Sequence, residues 1–170
     1  MGIEKLKPQR KQIRPKEISY NAAGAYFITI CTKAKEKLLC NILADPITAA
    51  PVIDESETGQ CVRLQLEEMA DFYASVKLDR YVIMPNHIHL ILLIPDGVRD
   101  EHTNRQNSVV SKFVGSFKRF SNKAAKTELW QSRYYDHVIR NEKEYLEICE
   151  YIDNNPSKWT EDGLYVPDPS

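Results

Sequence analysis

Two histidines separated by one apolar residue, His87-Ile88-His89, are the sharpest chemical feature of this 170-residue chain. Residues two apart on a β-strand project to the same face. The two imidazoles therefore point together while Ile88 points the other way, onto a face continued by Leu90, Leu92 and Ile94. Neighbouring imidazoles on a rigid strand can hold a divalent cation and leave positions open for a substrate. The same pair also fits two hydrogen-bonded side chains at a strand start, so a second group has to decide. It lies in residues 145–156 (YLEICEYIDNNP). Residues four apart stack on one helix face, which brings Tyr151 and Asn155 together as a nucleophile and an oxygen ligand. Tyr145 precedes Tyr151 by roughly 240° of helical turn and cannot share that face. A packing role for Tyr151 on an amphipathic helix is the alternative.

These side chains need elements to hold them. Residues 25–32 (AYFITICT) alternate, with Tyr26, Ile28 and Ile30 on one side and Phe27, Thr29 and Cys31 on the other, as in a strand. Residues 41–57 contain Pro46 and Pro51 and read as a loop or insertion. Val62, Leu66, Met69 or Ala70, and Tyr73 repeat at helical spacing and predict a helix over about 58–75. Two adjacent antiparallel strands follow, 77–84 and 87–94, joined by a turn at Pro85-Asn86. Residues 96–107 are polar and read as an exposed loop, and His102 within it has no assigned role. A second helix over about 108–125 carries Val110, Phe113, Val114, Phe117 and Phe120 on one stripe and a basic opposite side. A short strand at 134–139 precedes a last helix. Asn141 caps that helix, Glu144 completes a capping box, and Pro156 ends it near Asn154. The order β-α-β-β-α-β-α fits an α+β, ferredoxin-like antiparallel sheet with helices packed on it.

Composition bounds the rest. Hydrophobic residues make up 42% and charged residues 28%, enough for one domain with its own core. The division expected is a basic arm over 1–20, a main domain over 21–159 and a tail over 160–170. The net charge of -1 does not mark a nucleic-acid binder, but residues 1–16 set Lys5, Lys7, Arg10, Lys11, Arg14 and Lys16 against Glu4 alone. A solvated terminus explains the same arm equally well. Four cysteines without CxxC spacing argue against a zinc site or redox pair, and Cys31 and Cys149 read as small core residues. With no signal peptide and no apolar run long enough to span a bilayer, a reduced, cytoplasmic protein is expected.

Two stretches together carry a resemblance. Residues 81–90 (YVIMPNHIHL) and, later, Trp130-Gln131, residues 135–141 (YDHVIRN) and residues 150–156 (EYIDNNP) resemble the REP-associated tyrosine transposases. These are a single-tyrosine branch of the histidine-hydrophobe-histidine (HUH) endonuclease superfamily, close to the insertion-sequence transposases. The likeness covers roughly residues 20–159. It implies the HUH architecture, a metal held by His87 and His89, Tyr151 as nucleophile and Asn155 as the ligand one turn later, with Asn154 as a possible substitute. It also implies Mg²⁺ or Mn²⁺, in keeping with a donor set free of thiolate. The substrate implied is single-stranded or hairpin DNA of the REP palindrome type. Cleavage and rejoining would pass through a 5′-phosphotyrosine. The acting species is a monomer or a homodimer, with the site completed in cis or in trans.

DNA contacts are expected from Arg14 on the arm, from Lys112, Lys118 and Arg119 on the second helix, and from Tyr135, His137 and Arg140. Aromatic residues stack on bases and basic ones follow phosphates. Two rivals stand beside this reading. One is a non-catalytic nucleic-acid module in which Tyr26 and Phe27 serve as stacking platforms. The other is a domesticated protein that binds DNA on the same fold without moving it.

Overall fold

The computed structural model describes residues 24–95 and 108–167. Four antiparallel strands form the main sheet: β1 (Gly24–Cys31), β4 (Lys77–Met84), β5 (His87–Ile94) and β6 (Tyr135–Ile139), in the order β4-β5-β1-β6. In chain order that is 2-3-1-4, the ferredoxin-like arrangement. Helices α1 (Glu57–Phe72) and α2 (Val109–Ala125) pack together on one face. Helix α3 (Glu142–Asn154) and a 3-10 helix at Pro156–Glu161 cover the other.

Alternation in the strands decides which side chain joins which layer. Tyr26, Ile28, Ile30, Ile88, Leu90, Leu92 and Ile94 meet Val62, Leu66, Phe113 and Phe117 in the larger core. Phe27, Val82, Met84 and Ile91 meet Cys149, Ile152 and Trp159 in the smaller one, which is the face the histidines share. Cys149 is buried as expected, whereas Cys31 is only half-buried.

Four expectations need correction. Residues 41–57 are not a loop: β2 (Cys40–Ala44) and β3 (Pro51–Glu55) form a separate antiparallel hairpin. Its turn is built on Asp45, whose Oδ1 accepts from the backbone N–H groups of Ile47 and Thr48. Pro51 is tolerated because it is the first residue of its strand. Phe120 lies outside the buried stripe of α2 and is 38% exposed. Ser121 takes the buried position, accepting from the Trp130 indole N–H at 2.7 Å. Tyr26 and Phe27 are both buried, so neither is available as a stacking platform. Finally, the boundary expected at residue 160 falls inside the 3-10 helix, and the segment beyond it packs into the fold.

Candidate active site

Helix α3 is held to the sheet at both ends. Near its start the Tyr145 hydroxyl donates to Asp79 at 2.6 Å, and near its end Arg80 pairs with Asp153. Asn141 caps it by accepting from the Glu144 N–H at 2.9 Å. Glu144 in turn accepts from the Arg140 N–H and meets His137 Nε2, each at 2.7 Å. With Tyr145 committed to β4, the opposite helical phase carries Tyr151 over the histidines.

The two halves of the site meet within one chain. His87 and His89 bring their Nε2 atoms to 3.0 Å, and the Tyr151 hydroxyl lies 3.3 Å from His89 Nε2. Phe27 stacks on His89 with ring centroids 5.2 Å apart and meets the Tyr151 ring edge-on. Trp159 packs against His87. On the sheet, Val82, His89, Thr29 and Tyr135 form one rung across the four strands.

Groups that spacing alone did not reveal set the state of these rings. Asn86, fully buried at the β4–β5 turn, directs its Nδ2 to the carbonyls of Lys35 and Leu164. Its Oδ1 must then face His87 Nδ1, 2.8 Å away, so the proton of His87 sits on Nδ1 and the lone pair on Nε2. His89 Nδ1 lies 2.8 Å from the Thr29 hydroxyl, which can donate or accept. His89 is thus free to carry its proton on Nε2, shared with His87, or to give that nitrogen up as a second lone pair.

Asp162 is the larger omission. Its Oδ2 accepts from the Tyr151 hydroxyl at 3.1 Å and from Asn155 Nδ2 at 2.9 Å, while Oδ1 accepts from the Leu164 N–H. Among the described residues, His87, His89 and Asp162 present ligand atoms within 4.8 Å of one another. A carboxylate beyond the helix, in the stretch expected as a tail, carries no periodic signal. The aspartate eleven residues after the tyrosine was visible, but nothing tied it to the site.

Asn155 keeps right-handed helical backbone angles (φ -58, ψ -42) although proline follows, so its side chain stays on the Tyr151 face. The amide that meets Asp162 is therefore that of Asn155 and not Asn154. Asn155 is 2% exposed, and its Oδ1 has no hydrogen-bond partner. A buried carbonyl oxygen with no donor is costly unless something electropositive serves it. The two converging imidazole nitrogens have the spacing of two ligands of one divalent cation. Two ligands about 2.1 Å from such an ion, at right angles to each other, stand about 3.0 Å apart.

Burial, with a smaller contribution from the Lys35 ammonium, lowers the pKa of His87 to about 3, and burial together with the neighbouring His87 holds His89 well below its ordinary value. Burial and the Asp162 carboxylate push Tyr151 well above a free phenol. The histidine shifts fix a direction for stability. Below the unfolded value of 6.5 the unfolded chain binds protons that folded His87 refuses until about pH 3. Stability conferred above pH 6.5 is therefore lost as the pH falls through that window. In EDTA, the unfolding free energy should drop as the pH falls below 6.5, with a limiting slope of about 1.4 kcal/mol per pH unit from His87. Urea unfolding between pH 7 and pH 5 measures it, and a flat profile contradicts the burial argument.

The residues expected on DNA divide by face. Tyr135, 48% exposed, and His137 lie on β6 and project to the same side as Thr29 and Phe27. Exposed Arg140 follows them. Lys112 and Arg119 are exposed on α2, across the sheet from the histidines, with the Arg119 guanidinium over the Phe120 ring. Lys118 corrects its expectation: its ammonium donates to the carbonyls of Gln131 at 2.9 Å and Arg133 at 3.1 Å, and burial lowers its pKa to about 8. It fastens the segment leading into β6 instead of facing a phosphate. Arg14 and His102 lie outside the described residues.

Residues 23–155 match the family model of IS200-like transposases. The chain belongs to the IS200-like transposase family. Among the relatives of this IS200-like chain, an uncharacterized protein of Haemophilus influenzae is 34% identical over 92% of this chain and 93% of its own length. A REP-associated tyrosine transposase of Escherichia coli K12 is 30% identical over 59% of each chain. The solved structure of a REP-associated tyrosine transposase bound to a REP hairpin shares the fold. It superposes with a TM-score of 0.61 at 20% identity, covering 95% of this chain and 92% of that one. No helix among the described residues is long and apolar enough to cross a membrane.

Proposed function

We propose that this IS200-like chain is a metal-dependent endonuclease-transposase that cleaves and rejoins single-stranded or REP-like hairpin DNA through a phosphotyrosine on Tyr151. The observation that carries this reading is the Tyr151 hydroxyl set 3.3 Å from His89 Nε2, beside a pair of histidines whose Nε2 atoms converge. His87 and His89 would hold Mg²⁺ or Mn²⁺, with Asn155 Oδ1 as a neutral third donor, and a cation held there would supply Lewis-acid stabilisation of the charge that develops on the phosphate and would favour the phenolate of Tyr151.

The chain itself positions and protects. Phe27 fixes the ring of His89 from below and the edge of Tyr151 from the side, while the anchors to Asp79 and Asp153 hold α3 in place. Tyr151 Oη attacks phosphorus in line with the 3′ oxygen. The phosphorus–O3′ bond breaks as the phosphorus–Oη bond forms. The phenol releases its proton and the departing oxygen takes one up, leaving a 5′-phosphotyrosine and a free 3′-hydroxyl. Attack by a 3′-hydroxyl reverses the exchange, so strand rejoining needs no nucleotide cofactor. In this reading Tyr135 stacks on a base beside the scissile phosphate and Arg140 meets the backbone.

A labelled REP-type hairpin incubated with Mn²⁺ should give a covalent adduct that survives denaturing electrophoresis. Tyr151→Phe should give none, and Tyr145→Phe should still give one. An adduct on Tyr151→Phe would remove the nucleophile assignment.

A further inference from the structure

The proposed site leaves a charge problem. Two neutral imidazoles and an amide oxygen supply no negative charge to a doubly charged ion in a buried setting. Burying an unpaired charge is expensive, and hard cations favour carboxylate oxygen. Among the described residues, Asp162 is the carboxylate that shares with His87 and His89 a cluster of ligand atoms within 4.8 Å. Its Oδ2 is the acceptor for the Tyr151 hydroxyl and for the Asn155 amide N–H. One carboxylate therefore faces two competing demands. When it accepts from Tyr151 it holds the nucleophile as a protonated phenol; when it serves a cation it has less electron density for the phenol.

We infer that Asp162 is the anionic ligand of the metal site and that it trades its hydrogen bond from Tyr151 for the cation, so that filling the site also frees the nucleophile. Asp162 thereby completes a two-histidine, one-carboxylate donor set, with Asn155 as an auxiliary oxygen. Nothing in the exchange requires the backbone to move far, because Oδ1 stays on the Leu164 N–H at 2.6 Å and keeps the carboxylate in place. Release of Asp162 Oδ2 also leaves the Asn155 amide without its acceptor. The side chain can then turn its unpartnered Oδ1 toward the same centre. The inference rests on the proposed metal site, and the test separates the two.

Mn²⁺ affinity is measured by calorimetry on the full chain without DNA, for the parent, His87→Ala, Asp162→Asn and Tyr151→Phe. Asp162→Asn keeps the size of the side chain and removes its charge; it should weaken Mn²⁺ by more than about tenfold, at least as much as losing an outer-sphere partner. Tyr151→Phe should do the opposite and tighten Mn²⁺ severalfold, because the competing hydrogen bond is gone. A variant that merely loosens the fold does not bind metal more tightly, so this second sign is diagnostic. If Asp162→Asn binds within twofold of the parent while His87→Ala has lost binding, the inference is overturned and the two-histidine site stands. The same holds if Tyr151→Phe binds no more tightly than the parent. If His87→Ala binds as the parent does, the metal site itself is wrong and the inference falls with it.

Discussion

His89→Ala should lose Mn²⁺ binding and DNA cleavage together while remaining folded. His89 Nε2 is the hub of the site: it lies 3.0 Å from His87 Nε2 and 3.3 Å from the Tyr151 hydroxyl. Removing it deletes one of the two nitrogen donors of the proposed metal site, and the loss in metal affinity should exceed about 100-fold, above the upper end seen for outer-sphere partners. Cleavage should fall by at least about 10²–10³-fold, the scale for losing one stabiliser of transition-state charge. The structural cost is smaller. The variant leaves a cavity above Phe27 and a buried Thr29 hydroxyl short of one partner, together about 2–3 kcal/mol. The comparison of the two effects is the measurement. Saturating Mn²⁺ at about 100 times its dissociation constant should stabilise the parent by about 2.7 kcal/mol. The variant should show no metal-dependent shift in melting temperature. A variant that still gains stability from Mn²⁺ would show that the metal sits elsewhere.

The second large effect is far from the chemistry. Gly59→Ala should destabilise the fold by about 3 kcal/mol, at the upper end of overpacking costs. A Cβ built on Gly59 lies 1.9 Å from the Leu39 carbonyl oxygen, a backbone atom that cannot rotate away. Gly59 sits in the first turn of α1, where its N–H is accepted by the capping Ser56 Oγ at 3.0 Å. Ser56 is bound in turn to the carbonyls of Leu38 and Leu39. The helix start and residues 38–39 are therefore stitched at backbone distance, and alanine forces them apart. On helix propensity alone alanine should stabilise by about 1 kcal/mol, so the sign of the change separates close approach from intrinsic preference. Urea denaturation at pH 7 measures it. A variant as stable as the parent would mean that α1 does not dock this closely on Leu39. Residues 38–39 lead into the β2–β3 hairpin, and the Leu39 N–H donates to the Pro85 carbonyl in the turn before His87. Loosening this seam should therefore also weaken Mn²⁺ binding modestly.

Local periodicity determined a good deal of this protein from sequence alone. Alternation in a strand sent His87 and His89 to one face and Ile88, Leu90 and Leu92 to the other, and the fold keeps them so. Helical phase separated Tyr145 from Tyr151 and joined Tyr151 to Asn155, and the structure has Tyr145 bonded to Asp79 and Tyr151 beside His89. Both outcomes follow from backbone geometry within a few residues, which a sequence displays directly. Periodicity failed where another element settled the matter. Lys118 looked like a phosphate contact until the carbonyls of Gln131 and Arg133 claimed it. Phe120 was displaced from the buried stripe, whose next position went to Ser121 opposite Trp130.

The site shows the same division. Its histidines and tyrosine were legible because each is set by its own strand or helix. Asn86, which fixes the His87 tautomer through carbonyls at Lys35 and Leu164, and Thr29, sixty residues from His89, were not. Asp162 reaches Tyr151 only because the chain turns back through Pro156–Glu161 and buries Trp159 against His87. Contacts between distant segments depend on how faces pack, and no local pattern encodes that. The histidine pair was a property of one strand; what it can bind was decided by three other segments folding around it.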